Sequence, residues 1–174
     1  MIDNRYPIGK YEVPEKITSE IRKNWIQDIS TFPSRLKDVL NSVTEEDQQL
    51  TYREEAWSIR QLVHHIADAQ INVYTRIKLA LTEDNPTIKP FEENGWVALP
   101  DSNLPLASSI SIIEGLHTRL NYLVANLDEE QLKKTFTHPD TGIQTVEKTI
   151  GFCVWHVNHH LAHIKNALAL KNNS

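Results

Sequence analysis

A helix is written into residues 57–81 more plainly than any other element of this chain. Ser58 supplies an N-cap hydroxyl, Gln61 completes a capping box, and Trp57 and Leu62 can close a hydrophobic staple around the first turn. From there Ile59, Leu62, Ile66, Ala69, Val73, Ile77 and Ala80 recur at helical spacing, an apolar stripe that must be buried against partners. The partners are helices too. One is expected over about 18–42, kinked or restarted at Pro33, one over about 108–126, and one from a cap at Thr145 to about Leu170.

Between them lie an irregular lead-in over 1–17, a polar connection over 44–56, and a turn-rich stretch with His138-Pro139-Asp140-Thr141-Gly142 at its tip. Residues 82–107 form a long connection carrying Pro86, Pro90, Pro100 and Pro105, with Phe91, Trp96, Val97 and Leu99 to pack it on the body. Only 5 glycines occur and no strand pattern is visible. The expected fold is all-α, a four-helix bundle with one long crossover loop, residues 1–174 making one domain.

Composition excludes several functions. The net charge is −5 with no basic block, which argues against a nucleic-acid partner. No stretch has the roughly 20 apolar residues of a membrane span, and the start Met1-Ile2-Asp3-Asn4-Arg5 is too polar for a signal peptide. The lone Cys153 cannot form an internal disulfide, which fits a reducing, cytoplasmic setting.

Half of the 8 histidines, His156, His159, His160 and His163, fall in the last helix, and His64-His65 lie on the second. Helix phase selects among them. With His156 at zero and about 100° per residue, the apolar positions Val146, Ile150, Cys153, Val157, Leu161, Ile164 and Leu168 centre near about +100°. His156 and His160 border that face, His163 sits further round at its edge, and His159 falls on the polar side beside Lys148 and Asn166. On the second helix His65 lies nearer the core than His64, which is expected to be exposed. His156 and His160 have the i, i+4 spacing that stacks two imidazoles on one face, and with His65 they are candidates for a three-ligand metal site; solvated or hydrogen-bonded histidines are the alternative. Three neutral ligands leave an ion its full charge and an open position, as catalytic zinc has, although imidazole also suits nickel, copper and iron. Asp68 follows His65 at i+3 and is a candidate to orient a ligand or a water from behind; a solvated helix carboxylate is the alternative.

Other readings are weaker. Glu114 and His117 form an E-x-x-H, but no second copy faces it and Glu114 is off the apolar face, so a di-iron centre is not expected and His117 is read as structural. Cys153 reads as a buried, inert thiol. There is no G-x-S-x-G, P-loop or dinucleotide fingerprint.

The segments Trp57-Ser58-Ile59-Arg60-Gln61-Leu62-Val63-His64-His65-Ile66-Ala67-Asp68 and Trp155-His156-Val157-Asn158-His159-His160-Leu161-Ala162-His163-Ile164 resemble the DinB/YfiT superfamily, in particular its YfiT-type metal-dependent hydrolases. Tyr6-Pro7-Ile8-Gly9 and the His138–Thr141 turn are similar to that group as well, so the resemblance spans nearly the whole chain. It implies a homodimeric four-helix bundle with one Zn2+ or Ni2+ per subunit on His65, His156 and His160, acting on a small-molecule substrate. Some relatives in that superfamily are S-transferases that use bacillithiol or another low-molecular-weight thiol. Three functions therefore stand side by side: a hydrolase activating water, a thiol S-transferase, and a non-enzymatic, metal-stabilised dimeric bundle. Val157 occupies the place of the Glu in HExxH, so the last helix offers a hydrolase no base.

Overall fold

The computed structural model describes residues 4–171. The polar start Met1-Ile2-Asp3 lies outside the described residues. Four long helices make the body: α1 (Ser19–Leu40), α2 (Ile59–Thr82), α4 (Ala107–Ala125) and α6 (Val146–Lys171), with the short α3 (Glu93–Val97) and α5 (Glu129–Lys133) in the connections. α1 and α2 each pack against both α4 and α6, so α1 lies diagonal to α2 and the chain crosses the bundle between them. The result is a four-helix bundle.

Local chemistry sets the helix ends. Ser58 and Gln61 form both halves of the expected capping box, Thr18 accepts from the N–H of Ile21, and the Thr145 hydroxyl accepts from the N–H of Lys148 at 3.1 Å. The α2 stripe is buried along its whole length. It joins two stacked clusters, one around Phe32, Leu62, Ile66, Ile113 and Leu161, the other around Ile29, Val73, Ile77, Leu120 and Ile150.

Pro33 does not restart α1, which runs unbroken through it. Proline has no N–H for the carbonyl four residues back, which is that of Ile29. The His117 Nδ1–H donates to that carbonyl at 2.9 Å, while its ring packs on Phe32 at 5.2 Å. This is why a histidine is buried in α4, and its role is structural.

The expectation of no strands needs correction. Thr135–His138 (β1) pairs antiparallel with Gly142–Thr145 (β2), His138 opposite Gly142. Gly142, the first residue of β2 after the three-residue loop 139–141, takes φ +76° without a Cβ penalty. The crossover between α2 and α4 holds α3 and a 3₁₀ turn at Pro100–Asn103, with Val97 buried but Trp96 and Leu99 partly exposed.

The lead-in is not a loose tail within residues 4–17. It runs antiparallel along α6 with one contact every turn or two: the Arg5 carbonyl on His163, the Tyr6 ring near His159, the Gly9 carbonyl on the Trp155 indole N–H, and the Tyr11 hydroxyl on the Lys148 carbonyl. Gly151 lets it approach, because a Cβ there would stand 2.7 Å from both the Trp25 ring and the Tyr11 hydroxyl.

Candidate metal centre

His65, in the second turn of α2, faces His156 and His160 on the adjacent α6, and all three are buried. His156 Nε2 lies 3.2 Å from His65 Nε2 and 3.2 Å from His160 Nε2. An imidazole nitrogen carries either one proton or one lone pair, so it can make a good hydrogen bond to only one of two such neighbours. Three lone pairs converging on a cation resolve the conflict. Zinc–nitrogen bonds of about 2.0–2.1 Å at tetrahedral angles would put ligand nitrogens about 3.3 Å apart, close to the spacing found here.

Burial keeps these rings neutral. It pulls His65 down to about 4, with His159 adding repulsion, and pulls His156 and His160 well below the ordinary histidine value, with their histidine neighbours adding to the effect. Neutral imidazole is the form that binds a metal. The residues present therefore fit a divalent ion.

The environment departs from the helix-phase reading at two histidines, His64 and His159. His64 is buried, with ring nitrogens 2.7 Å from the Ser109 hydroxyl and 2.9 Å from the Leu104 carbonyl, because the crossover covers the side of α2 expected to meet water. His159 is buried as well, stacked on Trp155 at 4.6 Å beneath the lead-in, and burial with His163 nearby pulls it to about 4. His163 is only 2% exposed and stacks on Tyr52 at 3.8 Å. His159, His160 and His163 form a second group whose ligand atoms lie within 4.8 Å, sharing His160 with the first.

Asp68 does not hold His65. The Nδ1 atoms of His65 and His156 have no hydrogen-bond partner among the described residues. Burial, with Asp101 adding repulsion, instead raises the Asp68 carboxyl to about 6. Cys153 is fully buried, its thiol donates to Gln70 Oε1 at 2.9 Å, and burial pushes it up to about 12, so it is no nucleophile. Glu114 is on the surface and paired with Lys37 at 2.9 Å.

Two cavities flank the three histidines. One of about 320 Å³ adjoins His160 and is lined by Tyr6, Arg53, Trp57 and Asn94. The other, about 240 Å³, adjoins His156 and is lined by Arg76 of α2, Phe91 and Glu93 of the crossover, His138 and Asp140 of the hairpin, and Phe152. Burial raises the Glu93 carboxyl against the pull of Arg76 and lowers the Arg76 guanidinium against the pull of Glu93. Phase on the two histidine helices reaches Arg76 and Phe152, which share the faces of His65 and His156, but not Phe91, Glu93, His138 and Asp140, which come from the crossover and the hairpin. For those four the sequence signals were the length of the crossover and the polar hairpin tip.

The sequence signature of the DinB superfamily matches residues 29–164. A "putative metal-dependent hydrolase" of Halalkalibacterium halodurans is 47% identical over 96% of this chain and 98% of its own length. Another bearing that description, from Oceanobacillus iheyensis, is 47% identical over 99% of both chains. Among solved structures, YfiT from Bacillus subtilis, described as a probable metal-dependent hydrolase with an unusual four-helix bundle topology, superposes with a TM-score of 0.93 at 38% identity, covering 97% of this chain and 98% of that one. A mycothiol-dependent maleylpyruvate isomerase shares the fold at a TM-score of 0.66 and 17% identity, covering 82% of this chain and 60% of that one.

Proposed function

This chain belongs to the DinB superfamily, and from that premise we propose that it is a metal-dependent hydrolase holding one divalent ion, Zn2+ or Ni2+, on His65, His156 and His160. The observation that carries the reading is the convergence of three buried Nε2 atoms beside a cavity that contains a carboxylate. When bound, such an ion supplies a Lewis acid that makes water, or a thiol, a nucleophile near neutral pH.

The chain's own residues account for the remaining needs of hydrolysis. Glu93, a carboxylate lining the same cavity as His156, is the base that α6 lacks, and partial burial raises its carboxyl against the pull of Arg76. Arg76 and His138 carry donors toward a polar substrate oxygen; the Asp140 N–H donates to His138 Nδ1 at 3.2 Å, which leaves a neutral His138 with its proton on Nε2. Phe91 and Phe152 form apolar walls that limit water and suit a small-molecule substrate. The presence of Glu93 favours water over thiol as the nucleophile, because a thiol held as thiolate needs no protein base.

The full-length chain loaded with Zn2+ or Ni2+ should turn over members of an ester and amide panel without added thiol, and Glu93→Gln should reduce that turnover about 10²-fold or more. Conjugation that requires a low-molecular-weight thiol would replace this reading with S-transfer. A metal-dependent rise in melting temperature with no turnover of either kind would make the ion structural.

A further inference from the structure

Among the described residues, His160 alone of the three proposed ligands has a protein partner on its outer nitrogen, and that partner is His163. His163 Nε2 lies 3.2 Å from the Arg5 carbonyl, which can only accept, so the His163 proton is on Nε2. A neutral imidazole protonated at Nε2 presents a lone pair at Nδ1. That Nδ1 lies 3.3 Å from the Nδ1 of His160, so His160 must donate there. With its proton on Nδ1, His160 has a lone pair on Nε2, the atom 3.2 Å from His156 Nε2. Each step forces the next, from a backbone carbonyl in the lead-in to the lone pair at the centre.

The geometry points to His163 as a positioning residue of the metal centre, which locks His160 in its metal-binding tautomer by passing on a hydrogen-bond direction set by the Arg5 carbonyl. The assignment rests on the three-histidine reading above. Packing fixes the His163 ring in this orientation, since Tyr52 stacks on it at 3.8 Å with planes 9° apart, and Arg53 lies over Tyr52 in turn. The same geometry speaks against the second histidine group as a competing site. Both His163 nitrogens are already committed, and an ion there would have to displace the two bonds that orient His160. Outer-nitrogen partners of this kind are worth about 10–100-fold in metal affinity. Here the effect concentrates in one bond, since His65 and His156 have no protein partner on their own Nδ1 atoms among the described residues.

The test has two arms on the full-length chain. Long-range nitrogen–proton NMR of the metal-free protein, with His160 assigned through its loss in His160→Gln, reads the tautomer directly, and the expected result is a proton on Nδ1. A proton on Nε2 would overturn the proposal. In the second arm, zinc affinity is measured by competition with a chromophoric chelator, with a thermal melt on each variant as the folding control. His163→Phe keeps a ring against Tyr52 but has no acceptor, and should bind Zn2+ about 10–100-fold more weakly. His163→Asn sacrifices the stack but offers an amide oxygen near the Nδ1 position, and should recover most of the loss. Zinc affinity of His163→Phe within twofold of the parent would overturn the proposal, as would a loss in His163→Asn as large as that in His163→Phe. Failure of the parent itself to bind zinc would instead refute the three-histidine centre, while the tautomer arm would still report on the relay.

Discussion

The two histidine groups share His160, and single substitutions can separate them. Take zinc at a free concentration about 100 times its dissociation constant. Binding to the native state alone then adds about 2.7 kcal/mol of stability. For a chain of this size about 1 kcal/mol moves the melting temperature by about 2–4 °C, so saturation should raise it by about 5–11 °C. His65 is 1% exposed, so His65→Ala also leaves a cavity and lowers the melting temperature by itself. Comparing each variant with and without zinc cancels that cost. The zinc-induced rise should vanish in His65→Ala and His156→Ala, which break only the first group, and in His160→Ala, which breaks both. It should survive in His159→Ala, because His159 contributes only to the second group. Differential scanning calorimetry over a zinc series is sufficient. A rise that disappears in His159→Ala but persists in His65→Ala would refute the assignment and move the ion beneath the lead-in.

Four further outcomes follow. Replacing His117 by Phe strands the Ile29 carbonyl and should cost about 1–3 kcal/mol in chemical denaturation; in a Pro33→Ala background the restored N–H satisfies that carbonyl, so the cost should fall by about 1 kcal/mol or more, and equal costs in both backgrounds would disprove the link. Gly151→Ala gains about 1 kcal/mol of helix propensity but drives a methyl into the Trp25 ring and Tyr11 hydroxyl at 2.7 Å, an overlap expected to win by about 1–2 kcal/mol; a raised melting temperature would count against the strapped lead-in. Burial holds the Asp68 carboxyl in the folded state at about 6 against 3.8, so its contribution is fully present below pH 4 and lost as pH rises through 6. Discounted for partial exposure, Asp68→Asn should therefore stabilise by about 1 kcal/mol at pH 8 and by nothing at pH 4. Cys153, pushed up to about 12 by burial, should resist a maleimide reagent in the native protein and react only on unfolding; prompt native labelling would contradict its burial.

What could be read from the chain and what could not divide along a physical line. A helix wheel assumes one buried face and one wet face, and under that assumption it placed His65, His156 and His160 together, where the structure brings them within reach of one ion. The same assumption failed at His64 and His159, because α2 and α6 are covered on more than one side. The crossover roofs α2, and the lead-in runs along α6 as far as His163. Neither segment has a period to read: the first is punctuated by prolines and the second is extended chain whose bonds to α6 are made largely by backbone carbonyls. Strands of four residues are likewise too short to show alternation, so β1 and β2 were invisible until the Gly142 turn set their register. Burying a helix's polar side is costly unless the polar groups there are paired, and the buried histidines largely are: His64 to Ser109 and Leu104, His117 to the carbonyl that Pro33 frees, His163 to Arg5 and His160. The exceptions are His159, whose Nδ1 has no hydrogen-bond partner among the described residues and whose ring is held by stacking on Trp155, and the pair at the centre. His65 and His156 turn Nε2 atoms on one another that protein hydrogen bonds cannot all satisfy, and at that point the packing logic of the bundle gives way to the chemistry of an ion.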